Sequence, residues 1–376
     1  MNQRQSRRSQ QSLLQRFFLK LWYRPQTPWS ILARLLWPAS KLFEHLAKRR
    51  RTIQQVHRET LPVPLVVVGN ISAGGTGKTP VVIALVNQLA KRGAAIGVIT
   101  RGYGRLNHQR SPVLVTGDSQ LAISGDEAAL IVRATGVPVV VGSDRLATAK
   151  YLLQQFPDLD LIISDDGLQH YRLPRQMEIA VIDGERGLGN GYCLPAGPLR
   201  EPVERLMEVD WRLCNGQWRN RPAELAALPC AEIALRPLAW HHLKTQVRYP
   251  LKPLPWSAKR PVAVAAIGHP PRFFETLVAL GVHAECRPFD DHHPFAPEDF
   301  IDCGNRSVLM TSKDAVKCSD FAGEDWWALE VEVDLPEPLL QSVLNLVTQH
   351  RGIRHKHEDI PSKIKQGLKT RYLRIR

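Results

Sequence analysis

The stretch GNISAGGTGKTP, Gly69 to Pro80, constrains this chain more than any other. Before it stands LVVVG, residues 65–69, a short continuous apolar run of the kind that a parallel strand buried on both faces requires. After it comes VVIALVNQLAKRG, residues 81–93, whose apolar residues recur at helical spacing until a glycine stop. Strand, glycine loop and helix form the context in which a phosphate-binding loop works. Gly74, Gly75 and Gly77 let backbone N–H groups converge on phosphate oxygens. Lys78 can reach the β- and γ-phosphates of a nucleotide, and Thr79 can offer its hydroxyl to Mg2+. The consensus G-x-x-x-x-G-K-[ST] asks for glycine where Ser72 stands, but a small residue at the strand exit still makes the turn. The expected nucleotide-binding segment is therefore Ser72, Ala73, Gly74, Gly75, Thr76, Gly77, Lys78 and Thr79. Pro80 falls in the first helical turn, where a missing N–H is tolerated.

A second signal agrees with the first. LDLIISDDGLQH, residues 159–170, is an apolar strand ending in Asp165 and Asp166, as a segment that supplies carboxylate to Mg2+ does, and Gly167 argues against their being helix caps. Further strands are expected at 96–99, 137–142 and 178–182, with helices between several of them. The alternation implies an α/β protein with a P-loop NTPase-like, doubly wound, mainly parallel sheet whose ligand lies at the C-terminal strand edge. At that edge TRGYG (100–104) offers Arg101 and GSDR (142–145) offers Arg145 to an anion. In SGDEAALIV (124–132), Ser124 and Glu127 have the spacing of a capping box, which leaves Asp126 without a capping task and able to face the cleft as a base.

Net charge is +14, but its distribution argues against a nucleic-acid-binding face. Residues 1–60 hold thirteen Lys/Arg against two Asp/Glu and residues 351–376 hold nine against two, whereas residues 61–350 hold 28 against 32. Basic ends around a slightly acidic body suit peripheral segments that meet an anionic surface. Within SLLQRFFLKLWYR, residues 12–24, Leu13, Leu14, Phe17, Phe18, Leu21 and Trp22 recur on one side of a helix. After Pro25 and Pro28 a second set, Leu32, Leu35, Leu36, Leu42, Phe43 and Leu46, repeats the spacing and runs into KRRR, residues 48–51. Two readings stay open: amphipathic helices lying in a membrane interface, favoured for the first, or helices packed on the domain that follows. No apolar run approaches the roughly 18 residues of a membrane span, and the charged residues Arg16, Lys20 and Arg24 break any signal-peptide pattern. Six cysteines without C-x-x-C spacing suggest neither zinc nor a disulfide framework, and a reducing cytosol is the simplest home.

GNISAGGTGKTP, TRGYG, GDE, GSDR and DDGLQH, together with GNGYCLPAGPLREP at 189–202, resemble the tetraacyldisaccharide 4'-kinase family of lipid A biosynthesis. The resemblance continues through FDDHHPF (289–295) and LMTSKDAVKC (309–318), covers roughly residues 61–345 in consistent order, and includes serine at position 72. It implies transfer of the γ-phosphoryl group of ATP to the 4'-hydroxyl of a lipid A disaccharide 1-phosphate precursor. The location it implies is the cytoplasmic face of the bacterial inner membrane, with peripheral or monotopic attachment. By that resemblance Asp126 and His292 look like the catalytic pair, with Lys78 assisting, although His293 is the neighbouring alternative. Arg101, Tyr103, Arg145, Arg200 and Glu201 would bind substrate or phosphate, and Thr79, Asp165 and Asp166 would organise the metal.

Four parts are expected: basic amphipathic helices at 1–60, a kinase domain at 61–215, a smaller α/β domain at 216–345, and a basic tail at 346–376, of which residues 351–376 are expected to be mobile. The partners expected are the lipid precursor and an anionic membrane surface, with no nucleic acid and no obligate protein partner. A membrane-associated switch ATPase is the rival reading, but Ala73 occupies the place of the extra lysine in its K-G-G-x-G-K-T loop. A GTPase is disfavoured because TSKD at 311–314 lacks the spacing of a guanine reader.

Overall fold

The computed structural model describes residues 17–24, 28–102, 111–116, 124–218, 220–256 and 260–358. Two sheets carry it. The first has eight strands: β1 (Leu65–Gly69), β2 (Ile96–Thr100), β3 (Val113–Val115), β4 (Val139–Val141), β5 (Leu161–Asp165), β6 (Met177–Asp183), β7 (Trp211–Asn215) and β8 (Ala231–Ile233). Their order is β3-β4-β2-β5-β1-β6-β7-β8, and every neighbouring pair is parallel except β3 with β4. The central strands have no polar face because both faces are covered. Val66 and Val68 pack into one apolar cluster while Leu65 and Val67 pack into the other, and Leu161 and Ile163 alternate with Ile162 in the same way. Burying each such side chain stabilises by roughly 1.5–3 kcal/mol. The doubly wound, mainly parallel sheet expected from the sequence is present.

The helices of this layer start where their chemistry allows. Helix α3 (Lys78–Ala90) begins straight after the glycine loop, with Gly77 as its left-handed cap residue. Helix α5 (Arg145–Gln155) is capped by Asp144, whose carboxylate accepts from the N–H groups of Leu146 and Ala147 at 3.0 and 3.1 Å. Helix α4 (Asp126–Thr135) starts at Gly125 without a side-chain cap. The capping box expected from Ser124 and Glu127 is not what fixes this helix start; the Asp126 carboxylate accepts from the Glu127 N–H at 3.0 Å instead.

The second sheet holds β9 (Leu235–His242), β10 (Arg248–Tyr249), β11 (Val262–Ala265), β12 (Glu285–Pro288), β13 (Val308–Thr311) and β14 (Trp326–Val333), in the order β10-β9-β14-β13-β11-β12. Its four strands β14, β13, β11 and β12 are parallel, and β9 runs antiparallel to both neighbours. Helix α7 (Pro270–Ala279) follows β11, and helix α8 (Ser312–Cys318) follows β13. The last described helix, α9 (Glu337–Glu358), returns to the first sheet. Its Leu339, Leu340, Val343 and Val347 join Val81, Leu85 and Leu89 of α3 in one cluster. The boundary expected at residue 345 falls inside this helix, which runs on to Glu358. The apolar face of α9 needs the first sheet as its partner, and residues 359–376 lie outside the described residues.

The N-terminal helices are also placed. Residues 17–23 (α1) are helical and docked: Leu21 is buried, Trp22 donates its indole N–H to the Pro195 carbonyl at 3.0 Å, and Asn190 N donates to the Trp22 carbonyl at 2.9 Å. Over its described part the helix packs on the protein through Leu21 and Trp22, while Phe17 stays exposed. Helix α2 (Trp29–Val56) lies alongside with Ala33 and Ser40 inward, and Ser40 donates to the Cys193 carbonyl at 2.7 Å. Among the described residues no helix is long and apolar enough to cross a membrane.

Candidate active site

The C-terminal edges of both sheets' parallel strands face one cleft of about 1140 Å3, lined on the side of the first sheet by Gly74–Pro80, Arg101, Glu127, Asp166 and Arg200, and on the side of the second by Gly268, Asp291, His292 and Lys313. Loops that leave strand ends carry the groups that meet there, as open α/β sheets require.

The phosphate loop is held from behind. Ser72 forms an isolated bridge with Leu199, Ala73 N donates to the Pro198 carbonyl at 2.7 Å, and Arg200 N donates to the Ile71 carbonyl at 2.6 Å. The LPAGPLREP stretch is therefore the wall against which the loop is built, and a serine fits at position 72 because that residue is paired like a strand. Gly77 is at φ +90°, and a Cβ there would stand 2.6 Å from Asn215 Nδ2. Neither the backbone nor the space admits a side chain.

Lys78 Nζ lies 3.2 Å from Asn70 Oδ1 and 3.4 Å from Asp166 Oδ1. Asp166, at a positive φ of 50°, also faces Arg200 Nη1 at 3.3 Å. Burial would raise its carboxyl, but Lys78 and Arg200 outweigh it and hold the group well below the usual carboxylate range. Asp165 is different. It is fully buried at the end of β5, and neither carboxylate oxygen has a hydrogen-bond partner among the described residues. Burial first, then the charge of Glu127, pushes its carboxyl well above the ordinary value. A buried, unsatisfied carboxylate next to a phosphate loop fits a hard divalent cation, which prefers oxygen ligands.

Arg145 is buried, donates through Nη1 to the Gly142 carbonyl at 2.5 Å, and leaves Nε and Nη2 without acceptors among the described residues. Burial lowers it to about 10 against the pull of Asp166 and Asp165, and it stays a cation at neutral pH. Arg101 is exposed and lines the cleft. Tyr103 lies outside the described residues. Glu201 does not join the cleft lining. It is buried, accepts from the Tyr171 hydroxyl and from Gln169 Nε2 (3.1 Å), and stands 3.9 Å from Arg205 Nε. The same Gln169 Nε2 donates to the Asn70 carbonyl at 3.0 Å, so Glu201 reaches the phosphate loop through its support.

Between the loops of the two sheets, His292 Nδ1 stands 2.9 Å from Asp126 Oδ2. His292 is at φ +61°, and its N–H reaches the Ala266 carbonyl at 3.3 Å, so the loop backbone aims the ring. The neighbouring His293 turns away to Asp299, 3.0 Å from Nε2, and stacks with Phe289 and Phe295. Geometry thus favours position 292 over 293 for the partner of Asp126. Burial raises the Asp126 carboxyl, but the hydrogen bond from His292 and the charge of Lys313 bring it below its ordinary value. Sequence reasoning missed two residues here. In the sequence Lys313 has no role of its own within LMTSKDAVKC and Glu127 has only that of a capping-box residue, yet the two form a pair at 3.6 Å inside the cleft. The available signal was position, since Lys313 follows the C-terminal end of a parallel strand.

The sequence pattern described as Tetraacyldisaccharide-1-P 4'-kinase matches residues 32–348. A tetraacyldisaccharide 4'-kinase from Alcanivorax borkumensis is 44% identical over 332 residues, covering 86% of this chain and 95% of its own. One from Chromobacterium violaceum is 45% identical over 339 residues, covering 88% and 97%. A crystal structure of LpxK from Aquifex aeolicus in complex with ATP superposes with a TM-score of 0.70 at 27% identity, covering 84% of this chain and 99% of that one. With a match across most of its length and relatives well above 30% identity, the chain belongs to the tetraacyldisaccharide 4'-kinase family.

Proposed function

We propose that this protein moves the γ-phosphoryl group of ATP onto the 4'-hydroxyl of a tetraacyl disaccharide 1-phosphate, with Asp126 as the base and the 72–79 loop as the phosphate cradle. The observation that carries the reading is the pairing of Lys78 with Asp166 on one wall of the cleft while His292, which lines the other, is hydrogen-bonded to the buried Asp126 just behind it. Family membership and the likeness to a kinase crystallised with ATP support it. In this reading the Asp126 carboxylate takes the proton of the sugar hydroxyl as its oxygen attacks the γ-phosphorus, and the β–γ bridging oxygen leaves with ADP. His292 orients Asp126 through Nδ1–H, and Lys78, Arg145, Arg200 and Arg101 offset the phosphate charge. Thr79, Asp165 and Asp166 would hold Mg2+, which neutralises charge on the β- and γ-phosphates when bound. Glu201 acts by supporting the loop through Gln169.

The same reading divides the chain into an N-terminal helical part to about residue 60, a kinase domain to about 215 and a smaller domain beyond it, with α9 returning to the first. It places the protein on an anionic membrane surface, at the cytoplasmic face of the inner membrane. The exposed apolar stripe of α2 among basic residues supports that placement.

Turnover of the full chain with ATP and tetraacyl disaccharide 1-phosphate tests the reading. The Lys78→Ala variant should lose activity while keeping its melting temperature, since Lys78 touches only groups at the cleft. Near-normal turnover of that variant at saturating ATP would remove the phosphate-loop assignment.

A further inference from the structure

We infer that Lys313, on α8 of the second domain, is a positioning residue for the Asp126–His292 pair: it holds the imidazole with Nε2 as acceptor and so aims Nδ1–H at Asp126. Lys313 Nζ lies 3.3 Å from His292 Nε2, within hydrogen-bond reach, whereas Asp291 Oδ1 stands 3.8 Å from that nitrogen, beyond it. An ammonium has donors only, so the ring nitrogen that faces it must be the acceptor. A neutral ring then carries its single proton on Nδ1, which is the atom 2.9 Å from Asp126 Oδ2. Three carboxylates fix the ammonium in that place: Asp291 at 3.5 Å, Glu127 at 3.6 Å and Asp126 at 3.9 Å. They hold it protonated although it is largely buried.

Among the described residues, charged groups face Asp126 from three elements. His292 faces it from the loop after β12, Lys313 and Lys317 face it from α8, the latter at 3.9 Å, and Glu127 flanks it on its own helix. Asp314, which pairs with Lys317 at 2.9 Å, stands behind. A base must be ionised and aimed before the hydroxyl arrives. His292 supplies the aim, and the Lys313 charge keeps both the tautomer and the carboxylate in the required state. Because α8 belongs to the second domain and Asp126 to the first, this state exists only when the domains are apposed.

The inference rests on the reading of Asp126 as the base, and the experiment keeps the two apart. Asp126→Asn with full turnover would overturn both. With Asp126→Asn inactive, Lys313→Met and Lys313→Gln should lower kcat on the order of 10²-fold with the KM for ATP nearly unchanged. The acid limb of kcat/KM should move up by about 1–3 pH units, because removing a nearby cation raises the carboxyl. Lys313→Arg, which keeps charge and donors, should return the limb to its original position. Heteronuclear NMR of the histidine-labelled full chain, with His292→Gln to identify the signal, should show the Nδ1–H tautomer. Three results would overturn the inference: an unmoved acid limb in both neutral variants, a loss confined to the KM for ATP, or an Nε2–H tautomer at His292 in the parent protein. The last needs no variant to fold.

Discussion

Asp126 and His292 stand 166 residues apart in sequence and 2.9 Å apart in space, and their effects should be read as those of one unit. We expect Asp126→Asn, His292→Gln and the double variant to lower kcat by similar factors, since removing one member of such a unit removes the action of the other. Multiplicative losses in steady-state kinetics would mean that the two act independently, and a larger loss for His293→Gln would move the role by one residue. A second expectation concerns Gly77. Gly77→Ala would impose a left-handed backbone on a residue with a side chain and push Cβ to 2.6 Å from Asn215 Nδ2. We expect about 1–3 kcal/mol of lost stability in denaturant unfolding and a raised KM for ATP; a variant as stable and as tight for ATP as the parent would contradict this. The residues legible in the sequence are those whose role is written locally. Lys78 follows its own glycines, and Asp165 and Asp166 end their own apolar strand. Lys313 and Glu127 were not legible because each gets its meaning from a partner on another domain. Glu201 sits in a recognisable motif, but its burial among Tyr171, Gln169 and Arg205 could not be read from one strand of text.

Elements repeat the lesson at larger spacing. The strands of the first sheet were readable from continuous apolar runs, because only a strand covered on both faces has that composition. The path of α9 was not, since its apolar residues do not say which sheet they cover. It is pinned to the first domain by Leu340 and its neighbours and by Arg351, which meets Asp160 Oδ2 at 2.6 Å and the Gly93 carbonyl at 2.7 Å. Leu340→Ala should cost about 2–5 kcal/mol, the usual range for a buried leucine, and unfolding measured at unchanged activity per folded molecule would show it. The pH behaviour has a definite sign. Burial raises the Asp160 carboxyl, but Arg351 and the Ala95 N–H outweigh it and leave the group below its ordinary value. A depressed carboxyl adds stability above its unfolded value, about 3.9, and loses it as pH falls through the folded one. Arg351→Ala should therefore destabilise the protein at neutral pH, and the gap to the parent should close below about pH 4. A gap independent of pH would mean that Arg351 contributes through packing alone.

The whole molecule leaves one large surface to account for. Along α2 the residues Ile31, Leu35, Leu42, Leu46 and Ile53 are all more than half exposed, at alternating spacings of four and seven that keep them on one side of the helix. Leu32, Leu36 and Phe43, expected from the sequence in one apolar stripe with Leu35, Leu42 and Leu46, are half-buried. Arg34, Lys41, Lys48 and Arg49 are exposed on the same helix, and an apolar strip among cations is the pattern of a helix lying in an anionic membrane interface. Truncating residues 1–24 would test this poorly, because Trp22 and Leu21 pack on the 189–197 stretch that backs the phosphate loop. The cleaner change is Leu35→Glu with Leu42→Glu, which touches exposed side chains only. Each leucine that enters the acyl boundary contributes up to about 1.5–3 kcal/mol, so affinity for anionic vesicles should fall on the order of 10²-fold or more. The melting temperature should stay, and turnover of a detergent-dispersed substrate should stay with it, since the cleft residues are untouched. Vesicle binding equal to that of the parent would detach this stripe from the membrane and leave it as a contact surface of another kind.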